Sequence, residues 1–331
     1  MRELVRTNNA VLISAIDALL KAADIPHAVL DQHMSVLEGS LGMLPRRIVV
    51  DDEHHDEARR LLQDAGLGHE LRPVSGAAST ELSDDAVLGG RLRIKQMRRG
   101  HRVGHDAILL AAATDARPGD RAVEFGAGVG AAGLALAVRV PDVTVALVEI
   151  DPVLADIAAN NIASNGLSAR VRALALDVGA AAEAFAGAGL GPGSADRVLM
   201  NPPFNDPERQ NVSSDPDRAS AHAASPTTLA VWIKAAHRLL HSAGTLTMIW
   251  RADRLAEVLA ALGPEFGGIS VLPVYGRAGE PAIRILVCAA KGSRTPLALL
   301  PGLNLNDQAG KPTAEAEAVL RHAQPLRRTV G

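Results

Sequence analysis

Residues 121–130 read Arg-Ala-Val-Glu-Phe-Gly-Ala-Gly-Val-Gly, and this stretch decides the fold. Residues 121–125 are mostly apolar and of strand length, and the apolar run 131–138 that follows the glycines is of helical length. Glycines at such a junction let the backbone approach a nucleotide, because they adopt conformations closed to residues with a side chain. The pattern therefore predicts a strand, a glycine loop and a helix, which together form the first unit of a doubly wound α/β sheet.

Further strand patterns alternate with helical patterns along the rest of the chain. They lie at 143–149, 171–176, 195–200 and 244–250. Strands that alternate with helices form a parallel sheet with helices on both faces. The last two strand patterns, 269–274 and 282–289, have only a turn-rich segment between them, which predicts an antiparallel hairpin at one edge of the sheet.

The first 71 residues predict a separate small domain. Strand patterns at 3–7, 27–30 and 47–50 combine with two amphipathic helices, one after Asn8 or Asn9 and one from Asp51 or Asp52 to Gly66, in the order β-α-β-β-α. This unit resembles a small bacterial signal-transducing domain in Glu-Leu-Val-Arg-Thr-Asn at 3–8 and in segments 31–40 and 44–50. The resemblance implies no chemistry and leaves its partner unknown. Segment 72–81, rich in Ser, Gly, Ala and Pro, predicts a linker to a second domain at 82–331.

Composition excludes several classes of protein. Of 331 residues, 47% are hydrophobic and 21% charged, so disorder along the whole chain is excluded. The single cysteine, Cys288, excludes an internal disulfide and a multi-cysteine zinc site. The net charge of −3 means that any nucleic-acid surface is local. We expect no bound metal, and the lack of a long apolar run or a signal peptide predicts a cytoplasmic protein without a membrane span.

The glycine loop by itself fits two cofactors. Gly126, Gly128 and the small residue Ala131 satisfy the dinucleotide fingerprint, whereas Glu124, two places before the first glycine, is typical of S-adenosylmethionine (SAM) sites. Glu149 ends the second strand, where an acid binds ribose hydroxyls in both classes. The loop leaves NAD and SAM open.

Asn201-Pro202-Pro203-Phe204 decides between them. The motif follows the fourth parallel strand, and ligands bind at the carboxyl edge of a doubly wound sheet. The Asn201 side-chain oxygen and the Pro202 carbonyl are two acceptors suited to one –NH2 group, and Phe204 is placed to stack on a planar substrate. Holding both hydrogens of an amine or amide helps its nitrogen to pyramidalise and directs its lone pair at an electrophile.

With this motif the chain resembles SAM-dependent amino-methyltransferases, and within them the bacterial tRNA adenine-N6 methyltransferases. The likeness runs from about 82 to 328 and includes segments 104–112, 148–151, 232–236 and 282–293. It implies a Rossmann-like methyltransferase fold and SAM as cofactor. It also implies a set of cofactor-binding residues: Asp106, Glu124, Gly126, Gly128, Gly130, Glu149 and Asp177. Asn201, Pro202 and Phe204 would hold the target base. His101 stands where many relatives have an aromatic residue, which leaves the substrate less defined than the reaction.

A basic segment at 91–102 favours RNA, with tRNA as the implied substrate. It holds six Lys or Arg side chains and no acid, and we predict phosphate contacts by Arg98, Arg99 and Arg102. Two alternatives remain open at this point. A release-factor type protein-glutamine methyltransferase would hold an amide –NH2 in the same motif, and a non-catalytic RNA- or nucleotide-binding adaptor would bind without turnover.

Overall fold

The computed structural model describes residues 2–7, 10–30, 46–51, 54–67, 82–98, 103–203 and 226–326. It divides the chain into two compact units, 1–80 and 81–331. The predicted linker 72–81 lies outside the described residues.

The N-terminal unit has a three-stranded antiparallel sheet. Its elements are β1 (Arg2–Thr7), α1 (Ala10–Ala22), β2 (His27–Leu30), β3 (Arg46–Val50) and α2 (His55–Asp64). The central strand is β3, and both neighbours run antiparallel to it. Leu4, Ile16, Ile48 and Leu62 are fully buried in its core. The predicted element order is confirmed, although α2 begins at His55 and so later than predicted.

The second unit is built on a nine-stranded sheet. Its strands are β6 (Arg121–Phe125), β7 (Thr144–Glu149), β8 (Val171–Ala175), β9 (Ala195–Met200), β10 (Leu240–Arg251), β11 (Phe266–Arg277), β12 (Ala282–Lys291), β13 (Ala298–Leu299) and β14 (Leu303–Asn306). The order is β13-β11-β12-β10-β9-β6-β7-β8, with β14 also paired to β11. Strands β6 to β10 are parallel, whereas β12 is antiparallel to β10 and β11. The mostly parallel sheet and its closing hairpin are confirmed, and the short strands β13 and β14 continue the sheet beyond that hairpin.

Helices cover both faces of this sheet. They are α3 (His105–Ala113), α4 (Ala131–Arg139), α5 (Pro152–Ser164), α6 (Ala182–Gly187), α7 (Pro226–Leu239), α8 (Leu255–Leu262) and α9 (Ala314–Leu320). Side chains of α3, α4, α5 and α9 pack in one apolar core, and those of α6, α7 and α8 in another. Successive residues of β7 alternate between the two cores, so the strand is buried on both faces, as parallel strands usually are.

The strand order reverses between β6 and β9. The chain proceeds from β6 outward to β7 and β8, then returns to place β9 on the other side of β6. Phe125, the last residue of β6, pairs with Met200, the last residue of β9, and also with Val148 of β7. The segments that follow these three strands therefore leave the sheet at one level. A crevice at such a reversal is where doubly wound sheets bind ligands.

A separate two-stranded hairpin precedes the main sheet. It consists of β4 (Leu82–Val87) and β5 (Leu92–Met97), paired antiparallel and joined by a short 3-10 turn over Leu88–Gly90. Leu92 and Ile94 of β5 are fully buried, whereas Arg93 on the alternate face is exposed. The basic residues of this segment are evident in the sequence, whereas the hairpin was not predicted from it.

Candidate active site

The loop after β6 requires glycine at defined positions. Gly126, Gly128 and Gly130 have φ of 62°, 55° and 89°, the left-handed region that disfavours side chains. A Cβ on Gly126 would lie 2.5 Å from Cη2 of Trp232. Apart from its two chain neighbours, no described residue lies within 4 Å of the position that a Cβ on Gly128 would take, so the loop is open at its middle glycine.

Glu149 lies directly against this loop. Its Oε2 accepts a hydrogen bond from the Gly128 N–H at 2.7 Å, and its Oε1 accepts one from the Asp151 N–H at 3.0 Å. The residue is 7% exposed. A carboxylate accepts about four hydrogen bonds, so this one retains capacity for two further donors. That arrangement suits the two hydroxyls of a ribose.

Glu124 lies under the loop on the side of α4. The residue is 4% exposed, and its Oε2 accepts a hydrogen bond from the Gly133 N–H at 2.7 Å. The pKa of Glu124 is raised from 4.5 to about 8, chiefly because the carboxyl group is buried; the Gly133 N–H opposes the rise and the negative charge of Glu149 adds to it. The contact seen here is with the backbone of α4, and the expected contact of Glu124 with the cofactor remains a prediction.

Asn201 follows β9 on the other side of the strand reversal. Its Oδ1 is buried and has no hydrogen-bond partner among the described residues. Pro202 is buried and Pro203 half-buried, and neither has an N–H to offer. An unpaired buried acceptor costs about 1–3 kcal/mol, so this oxygen is suited to a donor brought by a ligand. Phe204, the fourth residue of the motif, lies outside the described residues.

The two remaining predicted cofactor-binding residues are Asp177 and Asp106. Asp177 is exposed just beyond β8, and its Oδ1 accepts from the Gly179 N–H at 2.8 Å. Asp106 lies in the first turn of α3, where Arg284 of β12 donates to its Oδ2 at 2.9 Å in a half-buried ion pair. Their contacts with the cofactor stay predictions.

The basic residues predicted to contact RNA are described only in part. Arg98 is exposed at the end of β5, while Arg99 and Arg102 lie outside the described residues. Within the same segment, Arg93 is paired with Asp84 at 2.9 Å and Arg91 donates to the backbone oxygen of His322. The Arg93–Asp84 ion pair therefore leaves less unneutralised positive charge on the hairpin than its basic residues alone suggest.

The structure adds three residues to the site that sequence reasoning did not assign to it. The Trp232 ring lies over Gly126 and packs edge-to-face on Phe125, with ring centroids 6.3 Å apart. Ile150, just after Glu149, is 49% exposed and offers an apolar face beside the carboxylate. The Asn161 side-chain amide donates to the Val129 carbonyl of the loop at 3.0 Å. Trp232 and Ile150 lie in segments 232–236 and 148–151, which carry the family resemblance but gave these two residues no role, and no local signal marked Asn161.

The residues present fit a nucleoside-containing cofactor beside an amine or amide acceptor. The open loop at Gly128 and the remaining capacity of Glu149 suit the nucleoside, and the Asn201 oxygen suits the acceptor group. Among the described residues no group of three or more His, Cys, Asp or Glu side chains is placed to hold a metal ion. None of the described helices is long and apolar enough to cross a bilayer.

Comparison with known proteins gives matches in both units. Residues 101–274 match the family described as "Methyltransferase small domain", and residues 1–66 match that described as "Putative prokaryotic signal transducing protein". The crystal structure of a predicted O-methyltransferase from Agrobacterium tumefaciens is 31% identical, with a TM-score of 0.58 over 68% of this chain and 100% of its own.

Two curated relatives have named substrates. The release factor glutamine methyltransferase of Chlorobaculum tepidum is 29% identical over 51% of this chain and 58% of its own length. The tRNA1(Val) (adenine(37)-N6)-methyltransferase of Porphyromonas gingivalis is 31% identical over 51% of this chain and 66% of its own. The matched region is thus less than two thirds of either relative.

Proposed function

Since the chain belongs to the methyltransferase small domain family and is a SAM-dependent methyltransferase, we propose that it methylates an exocyclic amine, the N6 amine of adenine in tRNA. The observation that carries the proposal is the buried, unpartnered Oδ1 of Asn201 at the strand reversal. Among the described residues it is an acceptor without a donor, one strand away from the glycine loop.

The cofactor would be held on the β6 and β7 side of the crevice. Glu149 would accept the ribose hydroxyls, Gly128 would let the backbone pass close to the nucleoside, and Asp177 would accept from the adenine amine. When bound, SAM would supply an electrophilic methyl group, whose bond to sulfur breaks to leave a neutral thioether while the methylated amine gives up one proton to solvent. Trp232, packed over Gly126, would limit the space left for the acceptor.

The acceptor amine would be held on the β9 side. The Asn201 side-chain oxygen and the Pro202 carbonyl would accept its two N–H bonds. The amine nitrogen is a poor nucleophile while its lone pair is delocalised into the base. Two fixed acceptors favour the pyramidal nitrogen and stabilise the positive charge that develops on it as the new bond forms. Phe204 would stack on the base.

Two observations support tRNA as the carrier of that amine. The hairpin ends in the exposed Arg98 and leads into a segment with further arginines, and basic side chains of this kind neutralise phosphates. The relative from Porphyromonas gingivalis is named as a methyltransferase that acts on adenine in a tRNA.

A second candidate is methylation of a glutamine side chain in a release factor. The relative from Chlorobaculum tepidum has that name, and an amide –NH2 presents the same two donors to Asn201 and Pro202. The geometry of the acceptor site does not distinguish the two substrates. The arginines at 98, 99 and 102 favour RNA.

The test uses the purified full chain with SAM and either tRNA or a release factor as acceptor. We expect N6-methyladenosine in tRNA by mass spectrometry and no modified glutamine. Asn201→Ala should lower the rate at saturating substrates about 100–1,000-fold, as loss of one preorganised polar group does. SAM affinity should change little, because the residues expected to bind the nucleoside are untouched.

Asn201→Asp is the control, since it keeps an acceptor oxygen at the same place. It should retain more activity than Asn201→Ala. If Asn201→Ala methylates tRNA at the wild-type rate, the amine is not held at this residue. If only the release factor is methylated, the second candidate is correct and the proposal of a tRNA substrate is wrong.

A further inference from the structure

One edge of strand β5 forms hydrogen bonds with two asparagine side chains, Asn161 of helix α5 and Asn165 just after that helix. The Arg93 N–H donates to Asn165 Oδ1 at 2.9 Å and the Asn165 Nδ2 donates back to the Arg93 carbonyl at 2.7 Å. Asn161 forms the same pair of bonds with Lys95: its Oδ1 accepts from the Lys95 N–H at 2.8 Å and its Nδ2 donates to the Lys95 carbonyl at 2.9 Å. Each asparagine amide thus supplies the donor and acceptor that a neighbouring strand residue would supply.

The spacing of helix and strand explains why two asparagines suffice. Positions four apart on a helix are about 6 Å apart along its axis, and positions two apart on a strand are about 6.6 Å apart. Asn161 and Asn165 therefore match Arg93 and Lys95 in register. The hairpin is fixed to α5 by four hydrogen bonds.

Only one of the two asparagines also contacts the cofactor loop. Asn161 is fully buried, and its second Nδ2 hydrogen is donated to the Val129 carbonyl at 3.0 Å. The corresponding hydrogen of Asn165 is donated to the Asn161 carbonyl within α5. Because Glu149 holds the Gly128 N–H, the loop is held by one side chain on each side. The Asn161 bond joins that loop to the hairpin.

The hairpin is also connected to the segment that follows it. Gln96, 4% exposed, donates to Asp85 at 2.7 Å and accepts from the Val103 N–H at 2.7 Å. Both ends of the segment that carries Arg98 are therefore bonded to the hairpin. A shift of β5 would move the base of that segment.

We propose that Asn161 is a positioning residue that couples the β4–β5 hairpin to the cofactor loop, so that SAM binding stabilises the hairpin and the docked hairpin strengthens SAM binding. Coupling between two binding events is reciprocal. The consequence for nucleic acid, that bound SAM holds β5 and the adjoining Arg98 in a fixed position, rests on the proposed function. The coupling itself needs only the SAM site and the hairpin.

The first measurement needs no variant. Amide hydrogen exchange is followed in the wild-type full chain with and without saturating SAM, in the absence of RNA. The amides of Arg93 and Lys95 should exchange about fivefold more slowly with SAM, within the usual range for coupled sites. Unchanged exchange at both amides would overturn the proposal, whatever the protein methylates.

The second measurement compares Asn161→Ala with Asn165→Ala. Both variants lose two hydrogen bonds to β5, but only the first loses the bond to the loop. Asn161→Ala should weaken SAM binding by about fivefold to tenfold, the factor that corresponds to one buried hydrogen bond. It should also abolish the effect of SAM on hairpin exchange. Asn165→Ala should leave SAM affinity within about twofold, because the loop bond remains.

Each outcome of this comparison is decisive. Equal weakening of SAM binding in both variants would assign the effect to general loosening of the hairpin and overturn the role of the loop bond. A wild-type SAM affinity in the Asn161→Ala variant would also overturn the role of the loop bond. If Asn161→Ala does not fold, the exchange measurement on the wild-type chain still decides the coupling. Loss of tRNA methylation with the coupling intact would count against the proposed function alone.

Discussion

Replacement of Glu124 by glutamine tests the electrostatics under the cofactor loop. The carboxyl group is buried and its Oε2 accepts from the Gly133 N–H at 2.7 Å. Since burial raises the pKa of Glu124 to about 8, the group is mostly protonated and neutral at pH 7. Glutamine has the same shape and keeps the acceptor oxygen, so Glu124→Gln mimics the protonated state at every pH.

The raised pKa predicts how stability varies with pH. The unfolded chain releases the Glu124 proton near 4.5, whereas the folded chain holds it until about 8. Between these values the unfolded state binds fewer protons, so the free energy of unfolding falls as pH rises. At about 1.36 kcal/mol per pKa unit, a shift from 4.5 to about 8 corresponds to a loss on the order of 5 kcal/mol. The glutamine variant lacks this loss.

Urea unfolding of both proteins at pH 5, 7 and 9 measures the effect. The advantage of Glu124→Gln over the wild type should be small at pH 5 and should grow by several kcal/mol by pH 9. Glu183→Gln removes an exposed carboxyl group on α6 and controls for the change of net charge. A difference between Glu124→Gln and wild type that stays constant over this range would refute the reasoning. SAM affinity of the same variant tests the expected cofactor contact of Glu124.

Three further substitutions test the loop and its neighbours. Gly126→Ala should destabilise the fold by about 2–5 kcal/mol, because of the left-handed backbone and the overlap with the Trp232 ring. Gly128→Ala carries the same backbone cost without the overlap, so its loss of stability in thermal unfolding should be smaller. Equal losses in the two variants would contradict the close approach of Trp232. Glu149→Gln should weaken SAM binding about tenfold in calorimetry, because charge-assisted hydrogen bonds exceed neutral ones by roughly 1 kcal/mol or more, and unchanged affinity would remove Glu149 from the cofactor site.

Local patterns are sufficient to predict the parallel part of the fold. Strand β6 occupies the predicted residues, Arg121–Phe125, because an apolar run followed by glycines has few other solutions. Strand β10 is longer than predicted and begins at Leu240, directly after α7. Its first residue pairs with Ala195 of β9, a distant partner that local periodicity does not reveal.

The β4–β5 hairpin was not predicted, although part of its signal is local. Residues 92–95 of β5 alternate apolar with basic side chains, which is the period of a half-buried strand. Segment 82–87 contains two adjacent aspartates, which are depleted in strands. The hairpin is also bonded by Asn161 and Asn165, which lie far along the chain at a helix, and no local pattern reveals those partners.

Hydrogen-bond satisfaction distinguishes Asn201, which the sequence marks by its Pro-Pro-Phe motif, from Asn161, which no motif marks. Asn161 is fully buried, and its oxygen and both amide hydrogens are bonded inside the protein. Asn201 has a buried oxygen with no partner among the described residues. The first pattern is that of a residue that holds structure, while the second is that of a residue that binds a ligand.

An unpaired buried oxygen does not by itself mark a binding site. The Ser194 hydroxyl is also buried without a partner among the described residues, yet it precedes β9 and so lies at the amino edge of the sheet. Asn201 follows the same strand at the carboxyl edge, level with the glycine loop and beside the strand reversal. It is the combination of an unsatisfied acceptor with that position that makes Asn201 the candidate for holding an amine during methyl transfer.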